Sequence, residues 1–418
     1  MRILIATDAF PPVCGGSGWS TYELARGLRQ RGHHVVVVQP TEGAPQPPYD
    51  GFDVVSFPSP APRLPFVRNF VRNERLYVRL QRFLGRLIRD ERIDIVHAQH
   101  VLTGPPAIAA AQALRIPSVC TVRDYWPVCY WGDLLRTDGP DPICPACTVS
   151  SMVSCLHTHA GAAWPLAVPA IPYMRANLRL KRAGLQGAST VIAVSRSVAA
   201  DLRERASELS GVRIETIPNA VDVPRVRDVG DRRGRPIPLP YAVFVGKLTR
   251  SKGVNLLIDV LQRAALRIPL VVLGDGPDRA ALERAAAAVG QDVRVLGWLE
   301  RDEVFRWIRH ARVLVFPSVW KEPLSRVLIE ASALGVAIAA MDTGGPSDIV
   351  VDGETGLLSR SPGELAVHVA RLVADETLHA RLASGAARRA EVVFDVPVVL
   401  SQVEGLYAQL SALRRGPA

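Results

Sequence analysis

The sequence predicts an α/β protein built on two doubly wound parallel sheets. Short β-branched runs alternate with longer helical patterns, the runs fall into two sets, and glycine-bearing turns follow several of them. The first set lies near Arg2–Ala6, His34–Gln39, Val54–Phe57, Asp94–His97, Ser118–Val122 and Thr190–Val194, with a short run near Ile214–Ile217. The second lies near Tyr241–Val245, Leu270–Leu273, Val293–Leu296, Val313–Phe316 and Val336–Ala340. Most of these runs are apolar without alternation, the pattern of strands covered on both faces.

Val223–Pro240, with Gly230, Gly234 and several prolines amid mixed charge, reads as a linker. The expected divisions are residues 1–225, with a cysteine-rich insert at 129–159, then 236–395, then a helix over 396–418. That helix presents Val399, Val403, Leu406, Leu410 and Leu413 at helical spacing and needs a surface to cover. Two such sheets joined by one linker would face a cleft at their strand carboxyl ends, so functional residues are expected just after strands.

At 418 residues, 48% hydrophobic and 22% charged, the chain is neither disordered nor a small disulfide scaffold. A net charge of +10 suits an anionic ligand, an anionic membrane or nucleic acid. Only four of its 50 basic residues are lysine, namely Lys181, Lys247, Lys252 and Lys321. The first apolar run is too short for a signal peptide, and Pro105, Pro106 and Arg115 interrupt the best membrane-span candidate. The expected location is cytoplasmic.

The first run leads into Asp8–Gly18, where Gly15 and Gly16 remove Cβ atoms at a helix start and let a ligand approach backbone. Neither a P-loop nor a G-x-G-x-x-G fingerprint is present. In the second half, Tyr241–Val245 leads to Gly246-Lys247…Lys252-Gly253, whose two ammonium groups can flank a diphosphate. Leu270–Leu273 leads to Gly274-Asp275-Gly276-Pro277, a tight turn opening a helix. Val313–Phe316 leads to Glu322-Pro323-Leu324-Ser325-Arg326 and on to Glu330. Two carboxylates so far apart along a helix can hold hydroxyls at two ends of an extended ligand, with the helix start at Leu324–Arg326 facing phosphates between them. Glu330 sits among Val327, Leu328, Ile329 and Ala331 and needs a partner there.

Together with Gly344-Gly345-Pro346, Asp352–Leu357 and Ile217–Asp222, these motifs resemble glycosyltransferase family 4 over nearly the whole chain. The resemblance implies a GT-B fold, two Rossmann-like domains facing a central cleft, with an acceptor-binding first domain and a donor-binding second. It implies retaining transfer from a nucleoside-diphosphate sugar to an acceptor hydroxyl (a glycan, a lipid-linked or a small-molecule acceptor), as in cell-envelope polysaccharide or glycolipid synthesis. It implies no catalytic cofactor, and that the 396–418 helix packs back on the first domain. Residue by residue, Lys247 and Lys252 would hold the diphosphate, Glu322 the sugar hydroxyls and Glu330 the ribose. Gly246, Gly274, Gly276, Leu324, Ser325 and Arg326 would line the donor, with Gly15 and Gly16 closing over it.

One departure is specific. Relatives often carry His-Asp after the fifth strand, and that histidine contacts the donor sugar; here the pair is Arg123-Asp124. Arg123 therefore takes another role, such as binding an anionic group, or the chemistry has changed. The nearest substitutes, on the acceptor side, are His97 and His100. The alternatives to an active transferase are a silent sugar-nucleotide-binding or scaffold relative and a GT-B sugar-nucleotide epimerase.

Two features fall outside these motifs. Arg68, Arg72, Arg75, Arg79, Arg82, Arg86 and Arg89 form a stripe that reads as the solvated face of a packed helix, or as a peripheral contact with an anionic membrane on its inner face. No nucleic-acid motif accompanies the charge. Cys129, Cys144, Cys147 and Cys155 are open to a structural zinc or iron–sulfur site, to disulfides, or to unlinked thiols. The segment has few apolar residues of its own, so a metal clamp beside Arg123-Asp124 is the expectation.

Overall fold

The computed structural model describes residues 1–136 and 143–415. The chain forms two α/β units, one from Met1–Ala220 with Val396–Ala418 and one from Val221–Asp395. The first carries a seven-stranded sheet of β1 (Arg2–Ala6), β2 (His34–Thr41), β3 (Val55–Pro58), β4 (Ile95–Ala98), β5 (Ser118–Val122), β6 (Thr190–Ala193) and β7 (Ile214–Thr216). The second has six strands: β8 (Ala242–Val245), β9 (Leu270–Leu273), β10 (Val293–Gly297), β11 (Val313–Phe316), β12 (Ile338–Met341) and β13 (Leu357–Ser359).

The orders are β3-β2-β1-β4-β5-β6-β7 and β10-β9-β8-β11-β12-β13, with every pairing parallel. Each order reverses once, between β1 and β4 and between β8 and β11. Such a switch point parts two consecutive loops at the carboxyl edge and leaves a crevice there. The central strands are apolar because helices cover both faces; Ile3, Leu4, Ile5 and Ala6 are all fully buried.

The Val396–Arg415 helix completes the first unit. Val399, Leu400, Val403, Leu406 and Tyr407 join Ile3, Tyr22, Leu28 and Ile95 in one core. Gly27 permits the approach, since a Cβ there would stand 2.3 Å from Leu400 Cδ1.

Three expectations are corrected. The division falls at Ala220/Val221, not between 225 and 236. Val223–Asp231 is a helix, capped by the Asp222 side chain on Arg225 N–H, and Val223, Val226 and Val229 are buried in the second unit. Its prolines and glycines suggested a linker, but Pro224 stands at the helix start, where a missing N–H costs nothing. The cysteine-rich segment does have a core of its own: Tyr130, Met152, Leu156, Ile171 and Met174 cluster, joined by half-buried Phe66, Trp131 and Trp164. Beyond these three, β13 was not expected, because its Leu357–Ser359 run continues directly from the Asp352–Leu357 turn motif.

The arginine stripe runs along the Pro65–Phe70 and Leu76–Asp90 helices. Leu76, Leu80, Leu84 and Ile88 bury one face, while Arg75, Arg79, Arg82, Arg86 and Arg89 stay exposed. Arg68 and Arg72 pair with Glu42 at 2.5 and 3.1 Å. Among the described residues, no helix is long and apolar enough to cross a membrane.

Candidate functional site

In the second unit, the switch-point loops after β8 and β11 bring together charged groups from distant parts of the sequence. Lys252 lies in a helical turn, Arg250–Lys252, that ends at Gly253 with φ 71°. A Cβ at Gly253 would stand 1.9 Å from Pro317 O, so only glycine lets this loop touch the one after β11. The Lys252 ammonium forms an ion pair with Glu322 and lies 4.5 Å from the Trp320 ring centroid. Ser318 Oγ donates to the same Glu322 oxygen at 2.9 Å. Glu322 is only 3% exposed.

The backbone holds Glu322 from below. Its N–H donates to Thr343 O (3.1 Å), and its carbonyl accepts from Gly345 N–H (2.7 Å). The carboxylate is therefore aimed by two loops, while its charge is balanced by one half-buried lysine. Lys247, five residues before Lys252, is exposed and has no carboxylate partner among the described residues.

Glu330 finds the partner its surroundings demand. Arg326 Nε donates to Glu330 Oε1 at 2.8 Å, and Arg301 Nη2 reaches the same oxygen at 3.3 Å. All three side chains are largely buried, at 7, 8 and 15% exposure for Arg326, Glu330 and Arg301. The Arg326–Ala333 helix begins at Ser325 with no side-chain cap, so its first N–H groups lack one there. Leu324 and Ser325 are each 8% exposed beside this start.

Gly246, Gly274 and Gly276 serve contacts between loops. Gly274 has φ 142°, and a Cβ on it would stand 2.0 Å from Gly246 O; one on Gly276 would stand 2.3 Å from Leu248 O. Leu248 N–H donates to Asp275 O, and Asp278 N–H to Leu248 O, locking the β8 and β9 loops together.

The first unit arranges its switch-point loops with largely buried polar groups. Asp8, after β1, accepts from Leu102 N–H, Thr103 N–H and Thr103 Oγ1 at 3.0, 3.0 and 2.9 Å. Burial still raises its pKa above the usual carboxylate value, because desolvation outweighs those bonds. Gly15 precedes the Gly16–Gln30 helix, and a Cβ there would meet only open space.

His97 is 1% exposed, and both ring nitrogens are engaged: Nδ1 with Tyr407 Oη at 2.5 Å, Nε2 with Thr121 Oγ1 at 2.7 Å. It ties β4 and β5 to the C-terminal helix, leaving no ring nitrogen for an acceptor. His100 has Nδ1 3.3 Å from both Thr7 Oγ1 and Asp8 N, while its Nε2 finds no protein partner. Burial lowers the pKa of each histidine to about 3, and the Arg123 charge adds to it.

Arg123 Nη1 donates to Gln99 Oε1 at 2.5 Å. Its side chain lines a small cavity with Ser20, His97, Thr121 and Asn219. Asp124 accepts from Trp126 N–H at 2.8 Å, and burial raises its pKa to about 6. Gln99 and Arg301 were missed in the sequence. Gln99 could have been found as the residue after β4, opposite Arg123; Arg301 lies 29 residues from Glu330, with no local signal to connect them.

All six cysteines are free thiols in the structure. Cys129, Cys144, Cys147 and Cys155 line one cavity, yet no three His, Cys, Asp or Glu side chains among the described residues stand close enough to hold a metal as placed.

Comparison with known proteins agrees with this layout. Residues 14–225 match the model of Glycosyltransferase Family 4, and residues 239–375 that of Glycosyl transferases group 1. A D-inositol 3-phosphate glycosyltransferase of Xylanimonas cellulosilytica is 30% identical over 63% of this chain and 73% of its own. An alpha-maltose-1-phosphate synthase of Mycolicibacterium smegmatis is 28% identical over 86% of this chain and 84% of its own. Among solved structures, Anabaena HepE in complex with UDP aligns over 98% of this chain and 100% of its own, with TM-score 0.68 and 19% identity. Sucrose-phosphate synthase from Thermosynechococcus elongatus aligns over 98% and 99%, with TM-score 0.70 and 20% identity. The fold is GT-B, and the chain belongs to glycosyltransferase family 4.

Proposed function

We propose that this protein is a hexosyltransferase that moves a sugar from a nucleoside-diphosphate donor to an acceptor hydroxyl, with retention at the anomeric carbon. The observation that carries this reading is the meeting of Lys252, Glu322 and the uncapped start of the Arg326–Ala333 helix around the β8/β11 switch point. Lys252 and the exposed Lys247 supply the positive charge that a leaving diphosphate develops against, and the helix start adds N–H donors and its dipole. Glu322 holds hydroxyls of the transferred sugar; Lys252 turns from it toward phosphate when donor arrives. Glu330, set by two guanidinium groups, presents its carboxylate to the ribose hydroxyls. HepE was crystallised with UDP and, separately, with UDP-glucose, which supports a nucleotide sugar as donor.

The first unit supplies the acceptor side, with Gly15 and Gly16 at the helix start and Arg123, Asp124 and His100 behind them. With Arg123 in place of a neutral ring, the group facing it is anionic, whether on sugar or acceptor. A peripheral position on the inner face of an anionic membrane fits the exposed arginines of the Leu76–Asp90 helix and a lipid-linked acceptor. Incubation with a panel of sugar nucleotides, read as slow donor hydrolysis and then as transfer, tests the reading and names the donor. Binding of every donor with no hydrolysis or transfer would favour a silent sugar-nucleotide-binding relative.

A further inference from the structure

A second constellation lies beyond the transferase residues, in the segment that follows β5. Cys129 is turned inward by its N–H bond to Tyr125 O (2.8 Å) and by Gly132 N–H donating to Cys129 O (3.2 Å). Cys144 is drawn back by its N–H bond to Leu134 O (2.7 Å), beside a bridge between Leu135 and Ile143. Cys147 directly precedes Thr148, which caps the Val149–Ala160 helix through Ser151 N–H. Cys155 lies on that helix, one turn beyond buried Met152. Three segments separate in sequence thus deliver four sulfurs to one small cavity, otherwise walled by apolar side chains such as Leu134 and Met152.

The two histidines nearby do not share it. His157 stacks on Trp164 at 3.9 Å between centroids, and His159 on Trp131 at 4.4 Å. Of the residues lining the cavity, the four cysteines are those with metal-ligating side chains, the donor set of structural zinc, and the Asp133 carboxylate stands 4.0 Å from Cys129 Sγ.

A buried cation stands close to this cavity. Lys181 is 3% exposed, yet its ammonium donates only to Tyr130 O at 3.2 Å and lies 5.2 Å from the Tyr130 ring centroid. A buried ammonium held by a carbonyl and a ring is expensive unless negative charge stands close by. Asp124 supplies part of that charge, and Cys129 and Cys147 stand within electrostatic reach of the same ammonium. Arg205 Nη1 donates to Cys144 O at 3.0 Å on the other side.

We propose that Cys129, Cys144, Cys147 and Cys155 bind one zinc ion as a tetrathiolate site that clamps this insert beside Arg123 and Asp124. Four S–H bonds give way to four Zn–S bonds, four protons leave to solvent, and no electron changes hands. The closed site carries a net charge of −2, of which Lys181 offsets one unit from within the protein. All four residues already line the same cavity, and closing the site requires their sulfurs to draw together from the present arrangement.

Metal analysis of the full chain purified without chelator should return one zinc per chain. Cys147→Ser and Cys155→Ser should each lose it, while Cys14→Ser, outside the cluster, should keep it. In case the ligand variants fold poorly, the wild-type protein stripped and reloaded with cobalt provides a separate readout. It should show the intense visible bands of tetrahedral cobalt and a sulfur-to-metal charge-transfer band. A metal-free protein with six titratable thiols and no cobalt spectrum would overturn the proposal. So would iron in place of zinc, or a disulfide among the four cysteines.

Discussion

The two units place their switch-point loops alike and equip them differently. In the second unit the loop ends carry charge near the surface: Lys247 is exposed, and Lys252 is half-buried and paired with Glu322. In the first unit the corresponding ends hold their polar groups in a closed network, Asp8 on Leu102 and Thr103 and His97 between Tyr407 and Thr121. The difference is electrostatic. On the proposed reading, a loop that neutralises a diphosphate keeps its cations solvated and free to turn, whereas polar groups buried behind a loop are stable only when bonded to one another. One fold therefore yields one edge whose cations are solvated and one whose polar groups are buried and bonded mostly to one another, and the residues after each strand decide which.

Removing residues 396–418 should have the largest effect, because it opens the core on which the first unit's edge rests. Val399, Leu400, Val403, Leu406 and Tyr407 are each at most 4% exposed, and burying one such side chain is worth about 1.5–3 kcal/mol. Their summed loss rivals the whole stability of a domain. The first unit should lose its cooperative melting transition in calorimetry while the second keeps its own; two intact transitions would contradict this account of the core.

Glu322→Ala tests the charged edge. Transfer should fall by about 100-fold or more, the scale of removing one group that stabilises the transition state, with binding of free nucleoside diphosphate nearly unchanged. Glu330→Ala should show the reverse emphasis, weakening nucleoside diphosphate binding by about 1.5–3 kcal/mol, as for a lost hydrogen bond to a charged group. Titration calorimetry on both variants separates the roles; equal losses would mean that the two carboxylates are not divided between sugar and ribose.

The smallest effect concerns His97 and sharpens the contrast in pH. Its folded pKa is lowered from 6.5 to about 3, so between those values the unfolded chain binds a proton that the folded chain refuses. Its contribution is fully present above 6.5 and is lost as the pH falls toward 3. His97→Gln should be less stable at neutral pH, where it lacks the imidazole's fit, but should lose stability less steeply on acidification over that window. Parallel acid profiles for wild type and variant would show that His97 is not the group responsible.

Twelve of the thirteen strands among the described residues were legible in the sequence, most of them because a strand buried on both faces reads as an apolar run of four or five residues. β13 was not, since the Leu357–Ser359 run follows directly on the Asp352–Leu357 turn motif and reads as its continuation. The candidate donor residues were legible for a related reason. Phosphate and hydroxyl ligands call for lysines, glutamates and helix starts at strand ends, and each such group is readable where it stands.

What the sequence by itself determined was therefore the α/β class, the two sets of strands and the charged residues after β8 and β11. Each follows from short-range chemistry: apolar runs, glycines at tight turns, an acid or a base at a loop. The tertiary structure decided the pairings. It set Arg301 against Glu330 and Lys252 against Glu322, separated by 29 and 70 residues. It turned the Val223–Asp231 segment from an apparent linker into a packed helix, and bound His97 to Tyr407, 310 residues away. No local pattern encodes such partners, because the free energy that fixes them is the burial of a polar group. How deep a side chain is buried is known only once every element has found its place.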